Sequence, residues 1–303
     1  MQGHKGIKGF LDRNSHIILI APFVICFVLF IVVPILAAIG LSFTRFNSIQ
    51  PPDFIGLRNY VFAFTQDEVL MQTVIPNTLQ YALIVGPGGY LLSFILAWLI
   101  TQLTRVPRTI LTIIIFSPTM TGAVLMGAVW QVVFAGDQMG YLNSLLIRAG
   151  IIDVPIAFLS TDATTWLMPI MIVVGLWSSM GVGFLAMISG ILNVDQEQFE
   201  ASYIDGVRNR FQEVIYVIIP NIRPQMLFSA VMAIVGTFSA SGMGVALTGS
   251  NPTPQYAGQV MLNHIEDFGF IRFEMGYAAA LSVILLGIIW LMSRVSYKLF
   301  GDN

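Results

Sequence analysis

Charge is what this chain has least of. Asp, Glu, Lys and Arg make up 10% of its 303 residues, against about 25% in a soluble domain. Hydrophobic residues make up 56%, and the mean hydropathy is +0.81. Such a composition is that of a membrane protein. The net charge of −2 offers no basic field to draw in nucleic acid, so none is expected as a partner. The single cysteine, Cys26, lies in an apolar run and reads as a small buried hydrophobe rather than a redox or metal group. The three histidines, His4, His16 and His264, are too scattered for a metal motif. No Gly-Lys dipeptide occurs, so the phosphate-binding loop of nucleotide hydrolases is absent and the chain is expected to be a non-catalytic subunit.

Six windows are long and apolar enough to cross about 30 Å of hydrocarbon, which takes about 20 helical residues. They are Ile17 to Phe43, Asn77 to Ile100, Thr109 to Val133, Thr165 to Leu192, Gln225 to Leu247 and Met275 to Met292. The first is too long for a signal-peptide core of roughly 7 to 15 residues, and reads as a retained helix. None of the six contains an Asp, Glu, Lys, Arg or His. Proton pumps need intramembrane carboxylates or imidazoles and voltage sensors need arginine rows, so both are disfavoured. A sodium-coupled stand-alone transporter or a channel for a small polar solute stays open, because backbone carbonyls can hold an ion.

Six spans put both termini on one side. With that side cytoplasmic, ten Lys and Arg lie within and four outside, as the positive-inside rule asks. The expected fold is therefore an all-α integral membrane protein forming one domain over 1–303. It would have a cytoplasmic segment 1–16, a loop 193–224 between spans four and five, and a tail 293–303.

The windows do hold uncharged polar residues. Ser178, Ser179, Thr237, Ser239 and Ser241, with Trp177 beside them to stack on a ring, suit a neutral hydroxylated ligand. The same hydroxyls equally suit bonds to their own helices. Outside the windows, His264, Asp267 and Glu274 form the only cluster resembling acid, base or metal groups, and a solvated external loop explains it more simply.

The stretch EASYIDGVRNRFQEVIYVIIPNIRP, residues 200–224, is the main acidic cluster on the inner side. Asp195 falls at a helix N-cap, Glu197 lies in the first turn, and Gln198 stands in a capping-box relation. Phe199 and Tyr203 share a face, and Gly206 falls where a left-handed C-cap would. A second start at Asn209, with Gln212 three residues on, leads to Pro220, which ends or kinks it. Pro224 then opens the fifth span. A membrane-surface helix would carry Lys and Arg rather than Asp195, Glu197, Glu200 and Asp205, so a protein groove is the better destination, with Phe199 and Tyr203 as exposed anchors.

This stretch resembles the EAA loop of ABC importer permeases: Glu-Ala-Ala, three residues, Gly, nine residues, Ile, one residue, Leu-Pro. Glu200, Ala201, Ser202, Asp205 and Gly206 match, with Ser202 for the second Ala. Pro220 stands one residue further from Gly206 than the pattern asks. APFVICFVLFIVVPILAAIGLSFTRFN, NTLQYALIV, WSSMGVGFLAMISGILNVDQEQFEAS and GYAAALSVIL are similar, in order, to blocks of the maltose and glycerol-phosphate type. The resemblance implies a six-helix permease of a bacterial or archaeal plasma membrane that imports carbohydrate. It implies pairing with a second, different permease, two ATPase subunits carrying ATP and Mg, and an extracellular solute-binding protein. The loop would then be a coupling helix on the ATPase, with Phe199, Glu200, Ala201, Ser202, Tyr203, Asp205 and Gly206 at the contact.

Overall fold

The computed structural model describes residues 15–121, 123–159, 164–240 and 242–300. Among them four helical runs are long and apolar enough to span a membrane: α1 (Leu19–Leu41), α3 (Leu70–Thr101), the run Thr164–Leu192 and α14 (Met275–Phe300). The count rises to six only if two bent pairs, Arg105–Met120 with Leu125–Val133 and Arg210–Asn221 with Arg223–Phe238, each make one span. Between α1 and α3, a two-stranded ribbon, Thr44–Arg45 with Asp53–Phe54, leads into the short α2 (Arg58–Thr65).

Two expected spans are not single helices, and each breaks for a local reason. The third window splits into α4 (Arg105–Met120) and α5 (Ala123–Val133). Pro118 withholds a donor in the last turn, and Thr121 is extended at φ −85° and ψ 124°. The fifth window splits into α11 (Arg223–Phe238) and α12 (Gly242–Thr248), with Ser239 as the C-cap of α11 at φ −92° and ψ 6°. The run Thr164–Leu192 also interrupts itself, as α7 (Leu167–Ser178) and α8 (Val182–Leu192), at Gly181. Further connectors are α6 (Tyr141–Arg148), α9 (Gln196–Ile204), α10 (Arg210–Asn221) and α13 (Met261–Glu266).

Three helices carry a widened π turn where the next residue but one is proline. Val28–Val32 precedes Pro34, Leu70–Val74 precedes Pro76, and Val214–Ile218 precedes Pro220. A proline ring collides with the carbonyl four residues back and offers no N–H. Widening moves that carbonyl away, and the amides of Val33, Ile75 and Ile219 bond five residues back instead of four.

At the centre α3 and α11 pack on each other, with α8 against both, α7 on α3 and α14 on α11. In lipid the water-driven term between helices is missing, so close approach must hold them. Gly183 provides it: a Cβ there would lie 2.4 Å from Ser229 Oγ. The first helix differs. It touches the rest mainly through its second half on α14, its apolar side chains are exposed, and Cys26 is exposed with them rather than buried.

At the end where α3 and α14 begin lies a buried polar knot. Asp67 Oδ2 accepts from Tyr277 Oη at 2.7 Å and from His264 Nε2 at 2.9 Å, while Asp67 Oδ1 accepts from the Leu70 amide at 2.9 Å. Arg272 meets Asp267 at 2.6 Å and lies over the Phe268 ring. His264 and Asp267 are each 1% exposed, which corrects the expectation of a solvated loop. The reason is pairing: Asp67 is nearly 200 residues away in sequence, so the local pattern could not reveal it. Burial pushes the Asp67 carboxyl up, but the bonds from His264, Tyr277 and Leu70 outweigh it and hold it below the ordinary carboxylate value.

Candidate functional site

The acidic stretch forms the helix expected of it, with one change of detail. Asp195 stands at the N-cap of α9 without a side-chain cap bond, and Gln198 accepts from Asn221 Nδ2 at 2.5 Å instead of closing a capping box. At the other end Gly206 has φ +98°. The Gly206 amide donates to Tyr203 O at 3.3 Å and the Val207 amide to Ser202 O at 3.0 Å, the two bonds of a Schellman stop. Asp205 is the C-cap, its amide on Ala201 O at 3.0 Å. The next helix is capped as the spacing indicates: Asn209 Oδ1 accepts from the Gln212 amide at 2.9 Å, and Gln212 Oε1 from the Arg208 amide at 2.8 Å.

The outer face of α9 presents Glu197, Glu200, Ala201 and Ile204, all exposed. Glu200 accepts from Gln196 at 3.3 Å and otherwise faces solvent. Ser202 turns its hydroxyl back to Phe199 O at 2.7 Å. Phe199 is not an exposed anchor. It is half-buried and packs into the chain's own apolar cluster with Val214, Ile218 and Ile222. Tyr203 is half-exposed and donates its hydroxyl to Glu213 Oε2 at 3.0 Å. The free apolar edge of α9 is therefore Ile204 and the ring of Tyr203.

The second feature is a cavity of about 580 Å³ between α3, α7, α8 and α11. Its lining includes Ser178, Ser179, Thr237 and Ser239 and, among the described residues, no Asp, Glu, Lys, Arg or His. Trp177 is not among them; it packs edge to face on Trp130, centroids 5.3 Å apart. Ser241 lies outside the described residues. The broken helices all end here. Thr119 comes from the end of α4, Ser178, Ser179 and Gly181 from the α7 to α8 break, and Ser239 and Gly242 from the α11 to α12 break. Irregular backbone at membrane depth is tolerated where it lines a cavity, and here it does.

The hydroxyls do bond within their own helices. Ser178 donates to Val174 O at 2.9 Å, Ser179 to Leu176 O at 2.7 Å and Thr237 to Ala233 O at 2.8 Å. Their protons are used within their own helices, and their oxygens line the cavity as acceptors. Tyr90, Ser93 and Ser229 also line it and were not singled out from sequence. A signal existed: Gly86, Gly89, Tyr90 and Ser93 share one face of α3, and glycines on one face mark close approach.

A helical membrane protein with an uncharged, hydroxyl-lined cavity and an acid-rich helix at one end has the parts that a transport component needs. Residues 89–298 match the family described as binding-protein-dependent transport system inner membrane component, and the chain belongs to that family. It is 28% identical over 288 residues to the arabinooligosaccharides transport system permease protein AraP of Bacillus subtilis, covering 93% of this chain and 87% of that one. It is 25% identical to the sn-glycerol-3-phosphate transport system permease protein UgpA of Agrobacterium fabrum, covering 95% of each. In fold it matches a chain of a bacterial ABC transporter that imports the acidic polysaccharide alginate, with a TM-score of 0.76 and 21% identity, covering 96% of this chain and 98% of that one. A second match, at TM-score 0.77 and 19% identity over 96% and 95% of the two chains, is to that transporter in complex with an alginate pentasaccharide-bound periplasmic protein.

Proposed function

We propose that this chain conducts a neutral carbohydrate through the membrane as a permease subunit of an ATP-driven importer, working with a second, different permease, two ATPase subunits and an extracellular solute-binding protein. The observation that carries the reading is the pairing of α9, whose outer face is free and acid-rich, with a cavity that is lined by hydroxyls and without charge. The acids of α9 lie against a groove of the ATPase, with Glu200 as the principal polar contact, and ATP and Mg bind on that partner. The bent pairs count as spans, giving six spans in one domain, both termini cytoplasmic, and α9 between spans four and five. A carbohydrate is favoured because its hydroxyl protons find acceptors in the cavity while no fixed charge repels or traps it. The sugar names of several relatives agree with this choice.

Affinity capture of the tagged chain from mild detergent, read by mass spectrometry, tests the assembly. Wild type brings down an ATPase and a second permease, and Glu200→Ala weakens the ATPase signal. A chain that comes down alone as a homo-oligomer overturns the reading. Uptake tests the cavity: Ser178→Ala, Thr237→Ala and Ser239→Ala together should slow transport by about tenfold, one or two lost hydrogen bonds' worth. Unchanged uptake in the triple variant removes these residues from the path.

A further inference from the structure

We infer that Glu213 is the joint that makes α9 and α10 move as one lever, a positioning residue acting through Tyr203. The inference rests on the reading of α9 as the ATPase-facing helix. Glu213 is the one buried ionisable side chain among residues 193–224, at 4% exposure, in a loop whose other acids are exposed. A carboxylate so placed is costly unless fully paired. It is paired: Arg210 Nη1 donates to Oε1 at 3.0 Å and Oε2 at 2.8 Å, and Tyr203 donates to Oε2 at 3.0 Å. The Arg210 side chain is 62% exposed, so the guanidinium is the accessory and the carboxylate is what the arrangement holds in place.

The geometry gives the pairing a use. Two side-chain bonds tie α9 to α10 in opposite order, Gln198 to Asn221 near one end and Tyr203 to Glu213 near the other. Phe199, between them, packs against the apolar cluster to which Val214, Ile218 and Ile222 belong. A nine-residue helix has little stability alone, so these attachments decide whether it moves with its neighbour. Beyond an 83° bend, α10 continues as α11, whose far end carries Thr237 and Ser239 to the cavity. A push on α9 therefore reaches the cavity as a rigid-body rotation when both ties hold. With the Glu213 tie cut, α9 swings on Gly206 and the push is absorbed.

The test follows two labels in the assembled importer. Cys26 is replaced by serine, and spin labels are placed through Gln196→Cys on α9 and Ile215→Cys on α10, both exposed positions. Distances are read without nucleotide and after trapping with MgATP and vanadate. With native Tyr203 and Glu213 the distance distribution stays the same in both states. With Glu213→Leu, which offers no acceptor, and independently with Tyr203→Phe, which keeps the ring and its packing, a second, shifted peak appears on trapping. A distance that shifts on trapping with both residues intact overturns the lever, and so does a distribution that stays single in both variants. Failure of the underlying reading is seen separately, as an Ala201→Arg chain that still captures the ATPase.

Discussion

Gly206→Val will strip the assembled importer of most of its solute-stimulated ATP hydrolysis while leaving the chain folded in the membrane. At φ +98° a β-branched residue is strained, and the added Cβ would meet nothing within 4 Å, so the whole cost lies in the backbone. That cost is roughly 1 to 2 kcal/mol, enough to move a docked population by about five- to thirtyfold. The chain escapes it by giving up the Schellman stop, which re-aims α10 relative to α9. Gly206→Asn, better tolerated at positive φ, should keep more activity than Gly206→Val. Full stimulated hydrolysis in Gly206→Val would contradict the docking role of α9.

Asp67→Asn will lower thermal stability most among single changes at the opposite end. The carboxylate gathers the Tyr277 hydroxyl, His264 Nε2 and the Leu70 amide, joining the start of α3 to α13 and α14, 197 and 210 residues further on. Breaking such a buried set costs about 3 kcal/mol. Because the folded carboxyl titrates below its ordinary value of 3.8, its contribution is complete above that value and is lost as pH falls through the lowered one. The melting advantage of wild type over Asp67→Asn should thus be full at pH 7 and shrink in acid. Equal melting temperatures at neutral pH would refute it.

What the sequence disclosed and what it hid follow from range. Helix ends in the loop were legible because capping is local: Asn209 with Gln212, and Gly206 after Ile204, are decided within a few residues. The breaks in windows three and five were missed because a 20-residue hydropathy average does not register a helix end at a single uncharged polar residue such as Thr121 or Ser239. Both breaks border the cavity. Likewise Phe199 and Tyr203 share a face, but only the neighbouring helix decides that this face turns inward. The Asp67, His264 and Tyr277 knot needed the folded chain, since nothing near His264 in sequence suggests a partner before α3.

The π turn at Val214–Ile218 bears on the spacing between Gly206 and Pro220. A π turn holds one residue more than an α turn, and the chain has one residue more here than the EAA pattern. An inserted residue in an α-helix rotates everything beyond it by about 100°. Looped out as a bulge, it leaves the downstream face in phase, so Pro220, the bend and α11 keep the bearing they would have had without it. The turn that makes room for Pro220 thus also takes up the extra residue: a residue removed within 214–218 would relax the bulge, while one removed elsewhere in the helix would turn the cavity wall away.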